Sequence, residues 1–287
     1  MMPLPFALLL DERPRPLVPY EFGWSLHPSV LLGTGLLGAL YFWGIGPLRR
    51  RYGLGPPVPP WRVACFSAGL LVLLLSLNGP MHDLSDYYLF SAHMVQHLLL
   101  TLLLPPLLIL GTPGWLLRPL VRPPLVRRIA RALTRPVVAA AIYTVTIAVW
   151  HIAPYYDLMM RSHEVHIVTH LMFMVAATIM WWPVMSPLPE LPRLSYGLGM
   201  LYLFLVGIPM QIVAALITLA DEVLYPWYAV APRTWGLSPH DDQVLGGLLM
   251  WVPGNLWMFL AIGVLFFRWA REGGMEAGQG GSGAGGQ

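Results

Sequence analysis

The chain contains no lysine and one cysteine, Cys65. A single thiol excludes an internal disulfide framework and excludes a C-x-x-C redox or metal motif. Charged residues make up 11% of the 287 positions, where a soluble domain carries about a quarter. No G-x-x-x-x-G-K-[ST] or G-x-S-x-G element occurs, and the G-x-G-x-x-G spacing is met only inside an apolar run (GTGLLG, 33–38) and in the glycine-rich tail, not between a strand and a helix. Nucleotide binding and serine-hydrolase chemistry therefore have no support. The 17 basic residues are all arginine and sit in segments that flank apolar runs. Membrane topology explains that placement, and nothing points to nucleic-acid binding.

What the chain has instead is apolar length, with 56% hydrophobic residues. A helix needs about 20 mostly apolar residues to cross a bilayer. Seven stretches qualify, at 29–47, 61–80, 87–111, 135–153, 163–185, 196–220 and 243–268. Pro-rich and Arg-rich segments separate them, among them RRRYGLGPPVPP and MSPLPELPR. The expected fold is an all-α integral membrane protein, a bundle of seven transmembrane helices over 29–270. Residues 1–28 form an N-terminal outer segment, whose apolar patch is too short to span and lacks the basic start of a signal peptide. Residues 271–287, rich in Gly and Ser, are expected to be a disordered cytoplasmic tail. No internal repeat stands out.

Arginine placement sets the orientation. The loops after the first, third and fifth spans and the C-terminal end carry thirteen of the 17 arginines. That side is read as cytoplasmic, with the N-terminus outside and the C-terminus inside. All nine histidines then fall at the outer face or in the outer half of the bundle. His93 and His97 stand four apart at the head of the third span, and His166 and His170 repeat the spacing in the fifth. Residues at i and i+4 share a helix face. His163 extends the second face, and His151 closes the fourth span nearby. Both spans enter from outside, so they run parallel, with the two pairs at matched depth. Imidazole suits copper, zinc, iron and nickel. Ionisable groups inside a bundle are functional candidates. The candidate metal ligands are therefore His93, His97, His166, His170, His151 and His163.

The blander reading of a histidine near a membrane interface is a snorkelling or hydrogen-bonded residue. His27 and His240 are read that way, and His82, beside Asp83 and Asp86, is read as structural. Met81, Met94, Met159 and Met160 fall near the histidines, and thioether with imidazole favours Cu(I), although methionine is also an ordinary core filler. Gln211 and Asn255 each lie two residues past a proline and are expected to satisfy freed backbone groups. Trp150, Trp181, Trp182, Trp227, Trp235 and Trp251 are read as an interfacial belt.

The segments AHMVQHLLL with PPLLILGTP, WHIAPYYDLMMRSHEVHIVTHLMFMVAATIMWWPV, and MWVPGNLWMF resemble the CtaG-like family of polytopic bacterial cytochrome c oxidase (caa-type) assembly factors. The match runs through His93/His97, Trp150–His151, Tyr156–Asp157, His166/His170 and Trp181–Trp182–Pro183, and covers residues of about 29–270. The resemblance implies a multi-pass protein of the bacterial plasma membrane that supports maturation of the oxidase through copper, with oxidase subunits and the lipid bilayer as partners. It implies a binding protein and no catalytic residues. Two alternatives stay open. One is a haem-binding membrane cytochrome with two axial histidines. The other is a seven-helix zinc-dependent membrane hydrolase, with Asp83, Asp86 or Asp157 as its carboxylate; its last span would need a histidine that is absent here.

The arginine asymmetry makes one expectation concrete. A reporter fused to the C-terminus should be active only in the cytoplasm. A fusion active only at the cell exterior would invert the topology.

Overall fold

A computed structural model describes residues 16–233 and 235–281, the side chains of the last nine of these excepted. Residues 1–15, most of the expected N-terminal segment, and 282–287, the end of the expected tail, lie outside them. Among the described residues the regular structure is helical, with no strand. Five helices are long and apolar enough to cross a membrane, and up to seven cross if each of two bent pairs counts as one span.

The five are α1 (Pro28–Tyr52), α4 (Phe90–Gly111), α8 (His163–Met185), α9 (Tyr196–Thr218) and α10 (Pro239–Glu272). The bent pairs are α2 (Pro60–Ser76) with α3 (Gly79–Tyr87), and α5 (Pro124–Leu133) with α6 (Pro136–Trp150). A further short helix, α7 (Ala153–Arg161), lies between α6 and α8. At 1.5 Å per residue the 17 residues of α2 reach about 26 Å and the 15 of α6 about 22 Å, short of a bilayer core. The windows at 61–80 and 135–153 thus fall on bent pairs, turned by 47° and 67°. Helical backbone also continues to Gly281, past residue 271 where the tail was expected to begin.

The chain contains a repeat that its sequence hides. α3 and α7 are both nine residues long, with proline second (Pro80, Pro154), aspartate fifth (Asp83, Asp157) and leucine sixth (Leu84, Leu158). Each is followed by a long helix with histidine at its fourth and eighth residues: His93 and His97 in α4, His166 and His170 in α8. Each is preceded by a helix that opens on proline, Pro60 or Pro136. Linkers of different length, Tyr88–Leu89 in one copy and Ser162 in the other, put the copies out of register by one residue.

Two polar contacts hold α4. Its first turn has no capping side chain of its own. Asp242, at the start of α10, accepts from the Phe90 amide at 2.7 Å, the Ser91 amide at 3.0 Å and the Ser91 hydroxyl at 2.5 Å. This buried carboxylate satisfies donors that a helix start leaves open and opposes the positive end of the helix dipole. Two turns past His93, α4 widens into a π turn at Leu99–Leu103, ahead of Pro105 and Pro106. Neither proline can donate to the Thr101 carbonyl, whether the bond runs to the fourth or the fifth residue on. The indole of Trp181 in α8 donates to it instead, at 3.0 Å. Trp181 is thus a buried tie between α4 and α8, not part of an interfacial belt.

The segment before α1 is fastened to the break between α2 and α3. The His27 amide donates to Asn78 Oδ1 at 2.7 Å, the Gly79 amide to the Ser25 carbonyl at 2.8 Å, and the Ser25 hydroxyl to Asp83 at 2.6 Å. Gly79 has φ of +61°, and a Cβ there would lie 2.9 Å from the Trp24 ring, so conformation and space both demand glycine. At the other face, α9 and α10 pack more extensively than any other helix pair. Gln211 donates to Asn255 across that contact at 2.5 Å. The two amides serve each other, not the backbone groups freed by their neighbouring prolines.

Asp242→Ala should lower stability in detergent by about 1–3 kcal/mol, since it strips buried donors of their acceptor, and Trp181→Phe should do the same for the Thr101 carbonyl. Thermal unfolding with Asp241→Ala as a control checks this. Equal midpoints for all three variants would remove both contacts from the account.

Candidate metal centre

The matched depth of the two histidine pairs follows from the repeat. His93 and His166 are each the fourth residue of their helix, and His97 and His170 each the eighth. Rings at equal depth face each other, with centroids 5.8 Å apart for His93–His166 and 5.8 Å for His97–His170. First meets first and second meets second, so α4 and α8 run parallel.

Three of the rings converge. His93, His97 and His170 are buried and offer one nitrogen each, all within 4.8 Å of one another. Nε2 of His93 and Nε2 of His97 approach to 2.8 Å. Around His93 the other nitrogen is committed. Nδ1 lies 3.3 Å from the Ser85 carbonyl and 3.1 Å from the Tyr228 hydroxyl. That hydroxyl itself donates to the Ser85 carbonyl in a short hydrogen bond. Nδ1 therefore carries the proton, and Nε2 turns its lone pair into the cluster. Holding a ligating histidine through its second nitrogen is the usual way a protein sets the tautomer for a metal. Nδ1 of His97 and Nε2 of His170 are buried without a hydrogen-bond partner. Such a group costs about 1–3 kcal/mol if it stays unpaired. The donor set of three imidazoles therefore fits a first-row metal ion.

The other expected ligands take different places. His166 turns towards Asp86, with Nε2 3.3 Å from Oδ1 but without hydrogen-bond geometry. Asp86 is fully buried, and its second oxygen lies 3.4 Å from Nε2 of His82. A carboxylate thus stands between two imidazoles beside the trio. His151 lies on the far side of His97, ring centroids 6.0 Å apart. Its Nδ1 contacts the Ile147 carbonyl at 2.8 Å, and its Nε2 is buried without a hydrogen-bond partner. His163 is exposed at the start of α8. His240 bonds the Ala220 carbonyl at 3.0 Å, in keeping with a structural role.

Access to the cluster is lateral. The segment between α9 and α10 covers one side with three buried aromatic residues. Tyr225 donates to the His151 carbonyl at 3.0 Å and Trp227 to the Asp86 carbonyl at 2.8 Å, while Tyr228 holds Ser85 and His93. Trp227 is therefore also no belt residue. Beside α8, a cavity of about 300 Å³ is lined by His27, His82, His163, His166 and His170, with Ser29 and Thr34 on a wall that is apolar elsewhere. It leads from the exposed His163 to His170 of the trio. His27 and His82, whose rings are 4.2 Å apart, thus belong to the entrance.

Sequence reasoning gave Asp242 and Tyr228 no role, named Asp86 only as a possible hydrolase carboxylate, and read Trp181 as a belt residue. His82 and Asp86 do carry a signal, the i, i+4 spacing on α3. Asp242 and Tyr228 reach the site from distant elements and leave no local pattern.

The fold and the site define a multi-pass, all-helical membrane protein with a buried imidazole cluster. A family described as cytochrome c oxidase caa3 assembly factor matches residues 39–272, and the chain belongs to that family. It is also similar to uncharacterised proteins of Mycobacterium bovis and Mycobacterium tuberculosis, 28% identical over 262 residues in each case. Those matches cover 85% of this chain and 39% of each relative. A Mycobacterium leprae protein is 25% identical over 280 residues, 91% of this chain and 42% of its own length. The chain thus spans about two fifths of the curated relatives it matches. No solved structure matches.

Alanine at His93 or at His170 should lower the metal content of the purified protein while the protein still inserts and accumulates; His240→Ala should leave metal content unchanged. Elemental analysis of the three variants checks this. Full metal content in both cluster variants would dismiss the shared site.

Proposed function

We propose that the chain is a copper-binding assembly factor for cytochrome c oxidase, residing in the bacterial plasma membrane. The observation that carries the reading is the convergence of three buried imidazole nitrogens from two helices in a chain of the caa3 assembly-factor family. Copper would be cargo, held by His93, His97 and His170 and passed to the metal centre of an oxidase subunit docked in the membrane. His163, His82 and His27 at the mouth of the cavity would receive it from the outer side, and His166 with Asp86 would relay it inward. The absence of thiolate ligands favours exchange, since imidazole donors release copper more readily than cysteine does. Asp86 would offset the charge of the cation in an apolar bundle. The role is binding and transfer, without catalysis.

The contacts support an ion over haem, because the rings pack directly against one another and leave no space for a macrocycle between axial ligands. One observation favours a second reading, a zinc-dependent hydrolase: a buried carboxylate stands beside the trio. That reading requires stoichiometric zinc in protein purified without added metal.

The test is elemental analysis of protein purified in mild detergent, with and without added Cu(I), beside oxidase activity in cells lacking the chain. We expect bound copper and loss of mature oxidase. Protein that takes up no copper, together with cells that still mature the oxidase without the chain, would overturn the reading.

A further inference from the structure

On the side of His97 away from His170, a small cavity lies among α4, α6, α8, α9 and α10. Its volume is about 20 Å³, room for one water-sized particle. Its wall includes His97, His151, Met94, Met210, Met250 and Phe173. The three methionines come from three helices, and all are buried, with 1%, 2% and 4% exposure. His151 presents to this region a buried Nε2 that has no hydrogen-bond partner, while its Nδ1 is engaged by Ile147. An unpaired imidazole nitrogen in an apolar core is costly, and leucine would fill the same volume without that cost.

The last helix is shaped around these thioethers. Gly246 and Gly254 stand one turn to either side of Met250 in α10. A Cβ at Gly254 would lie 2.8 Å from the Met210 methyl. A Cβ at Gly246 would lie 3.3 Å from Met94 Cγ and 2.4 Å from the Phe90 ring. Glycine at both positions lets Met94 and Met210 reach the space that Met250 shares with the two histidines.

We propose that this cavity is a second metal site, specific for Cu(I), with Nε2 of His151 and the thioethers of Met94, Met210 and Met250 as donors. It rests on the copper reading above. All four donors are neutral and three are soft, the set that selects a soft monovalent ion over zinc or Cu(II). His97 lies between the two sites, its ring 5.8 Å from His170 and 6.0 Å from His151. It is the one imidazole placed to serve both. The ion moves between them by exchange of neutral ligands, with no change of oxidation state.

The test uses the full chain in mild detergent, in a Cys65→Ser background so that methionine supplies the only sulfur donors. The protein is loaded anaerobically with Cu(I), and copper content and X-ray absorption are measured. We expect two equivalents of copper and a sulfur shell in the absorption spectrum. The triple change Met94→Leu, Met210→Leu, Met250→Leu nearly conserves volume, and it should remove one equivalent together with the whole sulfur shell. The pair His93→Ala, His170→Ala should remove the other equivalent and leave the sulfur shell. Copper bound through nitrogen alone, or a triple variant that keeps both equivalents, would overturn the second site and leave the first intact. Protein that binds no copper at all would overturn the copper reading and this site with it.

Discussion

A ring nitrogen in an apolar bundle needs a partner, and this chain buries more ring nitrogens than it has protein groups to meet them. His93 spends Nδ1 on Ser85 and Tyr228. His151 spends Nδ1 on Ile147. The nitrogens that remain on His93, His97, His151 and His170 face one another or face small spaces between helices. Scattered through the bundle, each would carry its own desolvation cost. Gathered at one depth, they can share a cation as partner. The rest of the architecture keeps them at that depth: a carboxylate from α10 on the first turn of α4, an indole from α8 on its widened turn, and a lid of Tyr225, Trp227 and Tyr228.

The two helices that meet at the site are held in different ways. α8 is capped locally, with the Ser162 hydroxyl accepting from the Val165 amide at 3.4 Å. α4 depends on a residue about 150 positions later in the chain. One copy of the repeat is therefore nearly self-sufficient, and the other is completed by the last span. The two sides of the site differ as well. The Asp86 side, between His82 and His166, borders the 300 Å³ cavity, while the His151 side borders the cavity of about 20 Å³.

Much of this architecture is legible in the amino-acid sequence. The spans announce themselves through length and hydropathy, and the i, i+4 histidine pairs are local features that a helix must place on one face. Matched depth can be counted along the chain. What cannot be read there depends on distant contacts. Trp181 and Trp227 sit near helix ends, as belt residues do, and only packing shows that their indoles are buried donors to carbonyls. Asp242 looks like one more acidic residue at a helix start until Phe90 and Ser91 are found against it. Gln211 and Asn255 each have a nearby proline whose freed backbone offers a local partner, yet they bond each other. The repeat is hidden because it rests on a few residues and a linker that differs by one. The bend at residues 76–79 lies within the window read as one apolar span, so hydropathy alone does not mark it, and the bend at 133–136 lies where an arginine-rich helix meets the start of the window read from 135.

The carboxylate cap also has a meaning for the order in which the protein is made. A chain inserted from its N-terminus places α4 and α8, and with them all six candidate histidines, before α10 has entered. Until then the Phe90 and Ser91 amides have no acceptor from Asp242, Met250 is absent, and the aromatic lid between α9 and α10 is not anchored. The ligands are thus present early, and the grip that fixes their spacing arrives last. Biosynthesis itself becomes a checkpoint, in which a truncated product carries the full set of histidines without the enclosure that would let it hold a metal ion.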